Sequence, residues 1–498
     1  LLAVLVPGLA AAQGTVTDLP RLGMSPGEPQ VRSAPPATPF GRPPSSSEQA
    51  VLDFHGYVLL PMRVSVLERE NPEPGQSSTA LHSPPVIPQD LRRFEYTGVV
   101  PEPWIQLNLS YGNSTISATT IIAARAVSNA SGIFDPTKQL GLNDAFITAN
   151  LSKVLNTPFE VKVGAFTGRY GAMGMYDAGR YGTPLIARTN ALGVNSTLGV
   201  ELGTATLVLE HGFGGTLGRC EIGWLPAAWN DYADCATGDA DAPRGVGTTL
   251  INHLHAGLDL SKLVQVGAHY FSTWSQDEQA TPNDIPDGSI RVLAADGRLM
   301  LGRGGHLYAG IARTELENAS TVAGVIEILN ARGGPELKRE YLGPASGGDG
   351  ALTTIGAQYD VSVARLLYGD YFTGRSPDIL LSAFGVATSV ESDAPAFDGV
   401  TKLKFGAEAT YNIASWFGVS GRFDRVTRNT DDDESAFTIL SPRILFHTGW
   451  QSRDEFAIQY SRFSYGENVT VRTGYPPTDD PEASPDQDVF TLSGTFWW

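Results

Sequence analysis

Three histidines are the densest set of candidate ligands in this 498-residue chain. His253 and His255 stand two apart, so an extended backbone points both to one face, opposite Leu254, Ala256 and Leu258. Further on, His269 shares a face with Gln265 and Gly267, opposite Val264, Val266 and Ala268. With a turn at 261–263, pairing polar face to polar face sets His255 directly across from His269. His253 then lies on the diagonal, near Phe271. Three imidazoles so placed form a donor set for zinc or copper. The alternative is that they are polar groups lining a wetted wall. Other chemistry is thin. The chain has no Gly-x-Ser-x-Gly elbow, no His-Glu-x-x-His and no Walker motif, and the cluster Gly212–Gly218 has the wrong spacing for a dinucleotide. Ser441 and His447 share one segment but lie too far apart along it to touch.

The elements that carry these residues read as strands. Alternating segments start near residues 51, 103, 114, 143, 158, 188, 204, 247, 263, 288, 304, 350, 378, 400, 417, 436, 452 and 488, eighteen in all. The clearest runs from Lys402 to Tyr411. Leu403, Phe405, Ala407, Ala409 and Tyr411 take one face, and Lys402, Lys404, Glu408 and Thr410 take the other. Connections alternate between long (66–102, 127–142, 169–187, 214–246, 276–287, 317–349, 466–487) and short (112–113, 203, 261–262, 302–305). The stretch between Val361 and Pro377 breaks that rule, which leaves sixteen strands as a second count. Alternation with long and short connections points to one closed antiparallel transmembrane barrel over 50–498. A solenoid or a pair of sandwiches is the soluble all-β alternative.

Mean hydropathy is −0.10 and the only long apolar run is Leu1 to Ala12, which excludes helical membrane spans. That run, 1–12, reads as part of a secretory signal peptide with Ala10, Ala11 and Ala12 as the cleavage site. Residues 13–49, rich in Pro and Ser, read as an extended periplasmic linker. In an exported protein the two cysteines, Cys220 and Cys235, read as a loop-closing disulfide, with two free thiols as the alternative. A net charge of −18 argues against nucleic acid as a partner and suits a cation-attracting channel.

Phe490, Leu492, Phe496 and Trp498 share one face of the last segment, with Thr491, Ser493 and Thr495 on the other. This segment resembles the C-terminal signal strand of Gram-negative outer-membrane barrels, which the barrel assembly machinery reads by its terminal aromatic. Trp416, Trp450 and Trp498 fall at short-turn ends, where a periplasmic aromatic girdle would sit. The whole pattern resembles the porin family. That resemblance implies an outer-membrane channel for ions and small polar solutes, with no cofactor, no catalytic step, and a homotrimer as the assembly. In porins the loop after the fifth strand folds inward and narrows the pore, its acidic groups facing basic groups of the wall. Here the matching loop, 169–187, offers Asp177 and Arg180 beside Tyr176 and Tyr181, with Lys162 and Arg125 as wall partners. It lacks the short Pro-Glu-Phe-Gly-Gly-Asp motif of the enteric porin loop, and the alternative is a loop standing out in solvent. Acidic runs at Asp431–Glu434, Asp277–Glu278 and Asp479–Asp480 are of the kind that hold Ca2+ or Mg2+ against lipopolysaccharide phosphates; a solvated acidic rim is the plainer reading. A substrate-specific uptake channel, an adhesin and an outer-membrane barrel hydrolase are the other functions this pattern admits.

Overall fold

A computed structural model describes residues 50–65, 104–125, 140–170, 187–216, 248–260, 263–276, 288–317, 326–328, 331–332, 349–369, 377–393, 395, 398–427, 429–447, 455–466 and 487–497. The expected signal peptide and linker, Cys220 and Cys235, the loop residues Tyr176, Asp177, Arg180 and Tyr181, and the acidic pairs at 277–278 and 479–480 lie outside the described residues.

The first strands are β1 (Val51–Ser65), β2 (Trp104–Gly112), β3 (Ile116–Arg125), β4 (Leu140–Asn150), β5 (Phe159–Tyr170) and β6 (Ala187–Leu202). Then come β7 (Ala205–Thr216), β8 (Thr248–Leu260), β9 (Val264–Gln276), β10 (Ser289–Leu301) and β11 (Gly305–Glu317). A short hairpin, β12 (Ile326–Ile328) and β13 (Ala331–Arg332), precedes β14 (Gly350–Ser362), β15 (Asp378–Ser392) and β16 (Thr401–Ala414). The last are β17 (Phe417–Thr427), β18 (Ala436–Phe446), β19 (Glu455–Tyr465) and β20 (Gln487–Trp497).

Every strand except the small hairpin pairs antiparallel with two neighbours in sequence order, β11 passing directly to β14. The ring closes where β20 meets β1, Trp497 opposite Tyr57 and Val489 opposite Ser65. Eighteen wall strands therefore form one closed sheet, the count read from the alternation, and closure leaves no free edge. The hairpin was not foreseen; its β12 pairs with the end of β6 at Ala187–Thr189, beyond the reach of β7.

Burial is the reverse of a water-soluble sheet. On β16, Phe405, Tyr411 and Ile413 are 38, 44 and 46% exposed, whereas Lys404 and Glu408, on the other phase, are 1 and 4% exposed. The same inversion recurs on the short-turn side of β10, β14, β15 and β17 to β20; at the long-loop ends Arg291, Glu391 and Arg462 face out instead. Apolar side chains outward and charged ones inward is the arrangement that lipid outside and water inside demand. No helix among the described residues is long and apolar enough to cross a membrane.

The irregular stretch after Val361 is a helix. α1 (Ser152–Leu155) and α2 (Val363–Tyr368) both sit in connections at the short-turn end. Ser362 caps α2 by accepting from the Arg365 N–H, and Asp378 accepts from the Ser362 hydroxyl at 2.6 Å and from the Ala364 N–H at 2.8 Å. The helix packs over the β10–β11 turn so tightly that a Cβ on Gly304 would meet the Ser362 carbonyl at 2.8 Å and the Leu366 nitrogen at 2.9 Å. A long connection at the short end is thus a folded cap, and the strand count keeps its value of eighteen.

Candidate functional site

The inward face is where chemistry gathers. On β6 to β10 one polar side chain per strand forms a belt. Asn195 donates to Glu210 at 2.7 Å, and Glu210 lies 3.6 Å from His255. His255 stacks on His269 with centroids 4.2 Å apart and planes within 7°. His269 reaches Asp296 at 2.9 Å. The register is the one expected: His255 opposite His269, His253 opposite Phe271. Glycine makes the belt sterically possible, since a Cβ on Gly267 would meet Asp296 Oδ1 at 2.9 Å and His255 Nε2 at 3.0 Å.

The three histidines do come together, His253 lying 5.9 Å from His269 and 6.4 Å from His255 by ring centroid. Their geometry does not favour a metal. Nitrogen lone pairs lie in the ring planes, so stacked imidazoles direct them side by side rather than toward one point. Among the described residues no group of three or more His, Cys, Asp or Glu side chains is arranged to hold a metal ion.

A second belt begins two strands further round the ring and runs over β14 to β19. Asp360 accepts from Ser382 at 2.5 Å and pairs with Gln358. Glu408 accepts from Ser420 at 3.0 Å and from Arg443 at 3.2 Å, and Arg443 also donates to Gln459. Arg422 holds Asp424 through Nη2 at 2.8 Å; its Nε, 2.7 Å from the other oxygen, is close but off-line, an ion pair rather than a hydrogen bond. Lys404 and Arg422 flank the Phe384 ring at 6.0 and 5.5 Å. Toward the long-loop end the lining turns apolar: Ile290, Val292, Leu352, Val390, Val426, Phe437, Ile439 and Phe463 are all buried on the inner face.

Of the expected constriction partners, Lys162 does face inward, its ammonium 4.8 Å from the Phe146 ring and 5.6 Å from Phe166. Arg125 ends β3 opposite Trp104. Ser441 hydrogen-bonds to Ser461 at 2.9 Å, and His447 lies 4.0 Å from Glu455, so the two make no nucleophile–base pair. Sequence reading missed Asn195, Glu210 and Asp296 as partners of the histidines. The signal was present: each occupies the polar phase of its strand, but only the cross-strand register shows which polar residues meet.

No family model and no curated protein matches the chain. Solved structures with a similar trace include porins and other outer-membrane proteins. A BenF-like porin from Pseudomonas fluorescens Pf-5 is 10% identical over 90% of this chain and 98% of its own, with a TM-score of 0.44. OccD3 of Pseudomonas aeruginosa is 9% identical over 96% and 99%, with a TM-score of 0.41. An anion-selective porin from Comamonas acidovorans is 9% identical over 90% and 100%, with a TM-score of 0.39. The closed ring and its two faces are established by the strand pairing itself.

Proposed function

We propose that this chain is an outer-membrane porin, through which ions and small polar solutes diffuse passively along the lumen without a catalytic step. The observation that carries the reading is the closed ring of eighteen strands with charged side chains inside and an apolar belt outside. In this reading membrane lipid and lipopolysaccharide surround the belt, long loops face out, short turns face the periplasm, and the last strand is the element offered to the assembly machinery. The loop 169–187 sets the limiting radius, with Tyr176, Asp177, Arg180 and Tyr181 facing Lys162 and Arg125 across the lumen. The carboxylates on the inner wall, Glu210, Asp296 and Glu408 among them, favour cations. No cofactor enters; Ca2+ or Mg2+ at the acidic rim around Asp431–Glu434 belongs to the lipid contact, not to transport.

Planar-bilayer recording tests this directly. Purified protein should give stepwise conductance with modest cation preference, and Asp177→Asn and Arg180→Ala should shift that preference in opposite directions. Folded protein that leaves the bilayer silent refutes the channel; unchanged selectivity in both variants refutes the constriction.

Solute-selective uptake is a second reading, favoured by the apolar cluster packed on the inner face of β10, β14, β15 and β17 to β19. Its side chains are covered rather than open to the lumen, so that end of the barrel is filled more than a general diffusion pore needs. Vesicle-swelling rates for a series of solutes equal in size and differing in apolar surface separate the two.

A further inference from the structure

The short hairpin does not sit where its place in the chain would put it. It belongs to the connection between β11 and β14, and those two strands pair directly with each other, Leu316 opposite Gly350. Its first strand, β12, nevertheless pairs with β6, Ile326 opposite Thr189 and Ile328 opposite Ala187. Four wall strands, β7 to β10, stand between β6 and β11. The pairing of β6 with β7 ends at Leu192 and Gly215, so β12 takes the lane above β7. On its other edge the same stretch of β6 pairs with β5, Tyr170 opposite Ala187, at the root of the loop 169–187.

A round ring of eighteen strands, about 4.8 Å apart and tilted about 40°, is about 36 Å wide, and four steps along it span a chord of about 23 Å. Residues 318–325 join Glu317 to Ile326, a reach of about 30 Å at full extension. The direct line between these two points runs over the opening, in front of the inner faces of β8 to β10. There Ile251, Phe271, Ile290 and Val292 are apolar and buried, although they face the lumen. From 318 to 330 the chain carries one charge, Glu327, so it can pass that wall at little desolvation cost. We propose that the ladder between β12 and β6 is a latch: closed, it ties the β11–β14 connection across the long-loop mouth above the histidine belt; open, it frees the mouth. Its position makes it reversible. Thr189 stands thirteen positions up β6 from Leu202, about 34 Å along the barrel axis against a hydrocarbon belt of about 25 Å. Water therefore competes for the hydrogen bonds of the ladder, and a two-stranded pairing of three residues is marginal.

The latch rests on the porin reading, and single-channel recording of the full-length protein tests the two apart. Ala187→Cys with Ile328→Cys, in a background of Cys220→Ser and Cys235→Ser, places two thiols opposite each other in register, within disulfide reach. Oxidation is expected to lower the conductance at least threefold, and a reductant to restore it. Wild type should also show brief closures that Glu327→Pro lacks, because proline breaks a strand of three residues. A disulfide that forms without changing the conductance overturns the proposal, and so does a cysteine pair that stays open under oxidant. Should the cysteine variant fail to fold, the proline variant decides alone: closures as frequent as in wild type refute the latch. A reduced channel and a wild type that both leave the bilayer silent sink the porin reading instead.

Discussion

Replacing Glu408 by glutamine removes one charge of a pair sealed into the inner wall. Arg443 Nη1 lies 3.2 Å from Glu408 Oε1, with side chains 6 and 1% exposed. At an effective dielectric of about 20, unit charges at that spacing attract by about 5 kcal/mol. Removing one partner of a buried pair typically costs about 3–5 kcal/mol, because the other charge stays desolvated. Glutamine keeps an oxygen for the Ser420 hydroxyl, so the low end, about 3 kcal/mol, is expected. Adding Arg443→Met removes the stranded cation and should return about 2–3 kcal/mol as coupling between the two sites. Urea unfolding in lipid vesicles, followed by the fluorescence of the eight tryptophans, measures both. With a slope of about 3 kcal/mol per molar, the single variant lowers the midpoint by about 1 M. A single variant within about 0.5 kcal/mol of wild type, or a double variant whose cost is the plain sum, would falsify the account of this pair as a buried, coupled unit.

Two further outcomes follow from close contacts. Gly267→Ala puts a methyl against Asp296 and both stacked imidazoles, and should cost about 1–3 kcal/mol; the same urea titration checks it, and an unmoved midpoint means the rings can step aside. Asp378→Ala strips α2 of its acceptor for the Ser362 hydroxyl and the Ala364 N–H. Deuterium uptake across 362–369 should then rise at least tenfold, while uptake across β16 stays unchanged; equal uptake in both proteins would show that the Gly304 contact alone holds the helix.

Much of the wall could be read from period-two alternation, because a strand between lipid and lumen shows the same code at every turn. Segment starts from 51 to 488 fall within three residues of the strands. What alternation cannot show is a side chain's partner. It put Glu408 on the polar face but left open that Arg443, thirty-five residues later, would meet it. It put His255 across from His269 because a short turn fixes that register, yet not the stacking, which depends on rotamers and on Gly267 leaving room. Nor does a sequence period announce an exception: Ser196, His211 and Asn252 occupy the apolar phase of their strands and look like noise until the three are seen to touch.

The two inner belts should differ in what they do to a passing ion. Around β14 to β19 the carboxylates of Glu408 and Asp424 are matched by Arg443 and Arg422, so each pair presents a dipole rather than a charge. On β6 to β10 the partners of Glu210 are an amide and an imidazole, so no guanidinium or ammonium is paired with its carboxylate there. Reversal potentials across a salt gradient should move toward anions in both Glu210→Gln and Glu408→Gln, because each takes one negative charge from the wall. Glu408→Gln leaves Arg443 without its carboxylate, so adding Arg443→Met removes the uncovered cation and should restore the wild-type potential. A double variant that stays displaced, or a Glu210→Gln protein with wild-type selectivity, would mean that the field is not built from these groups.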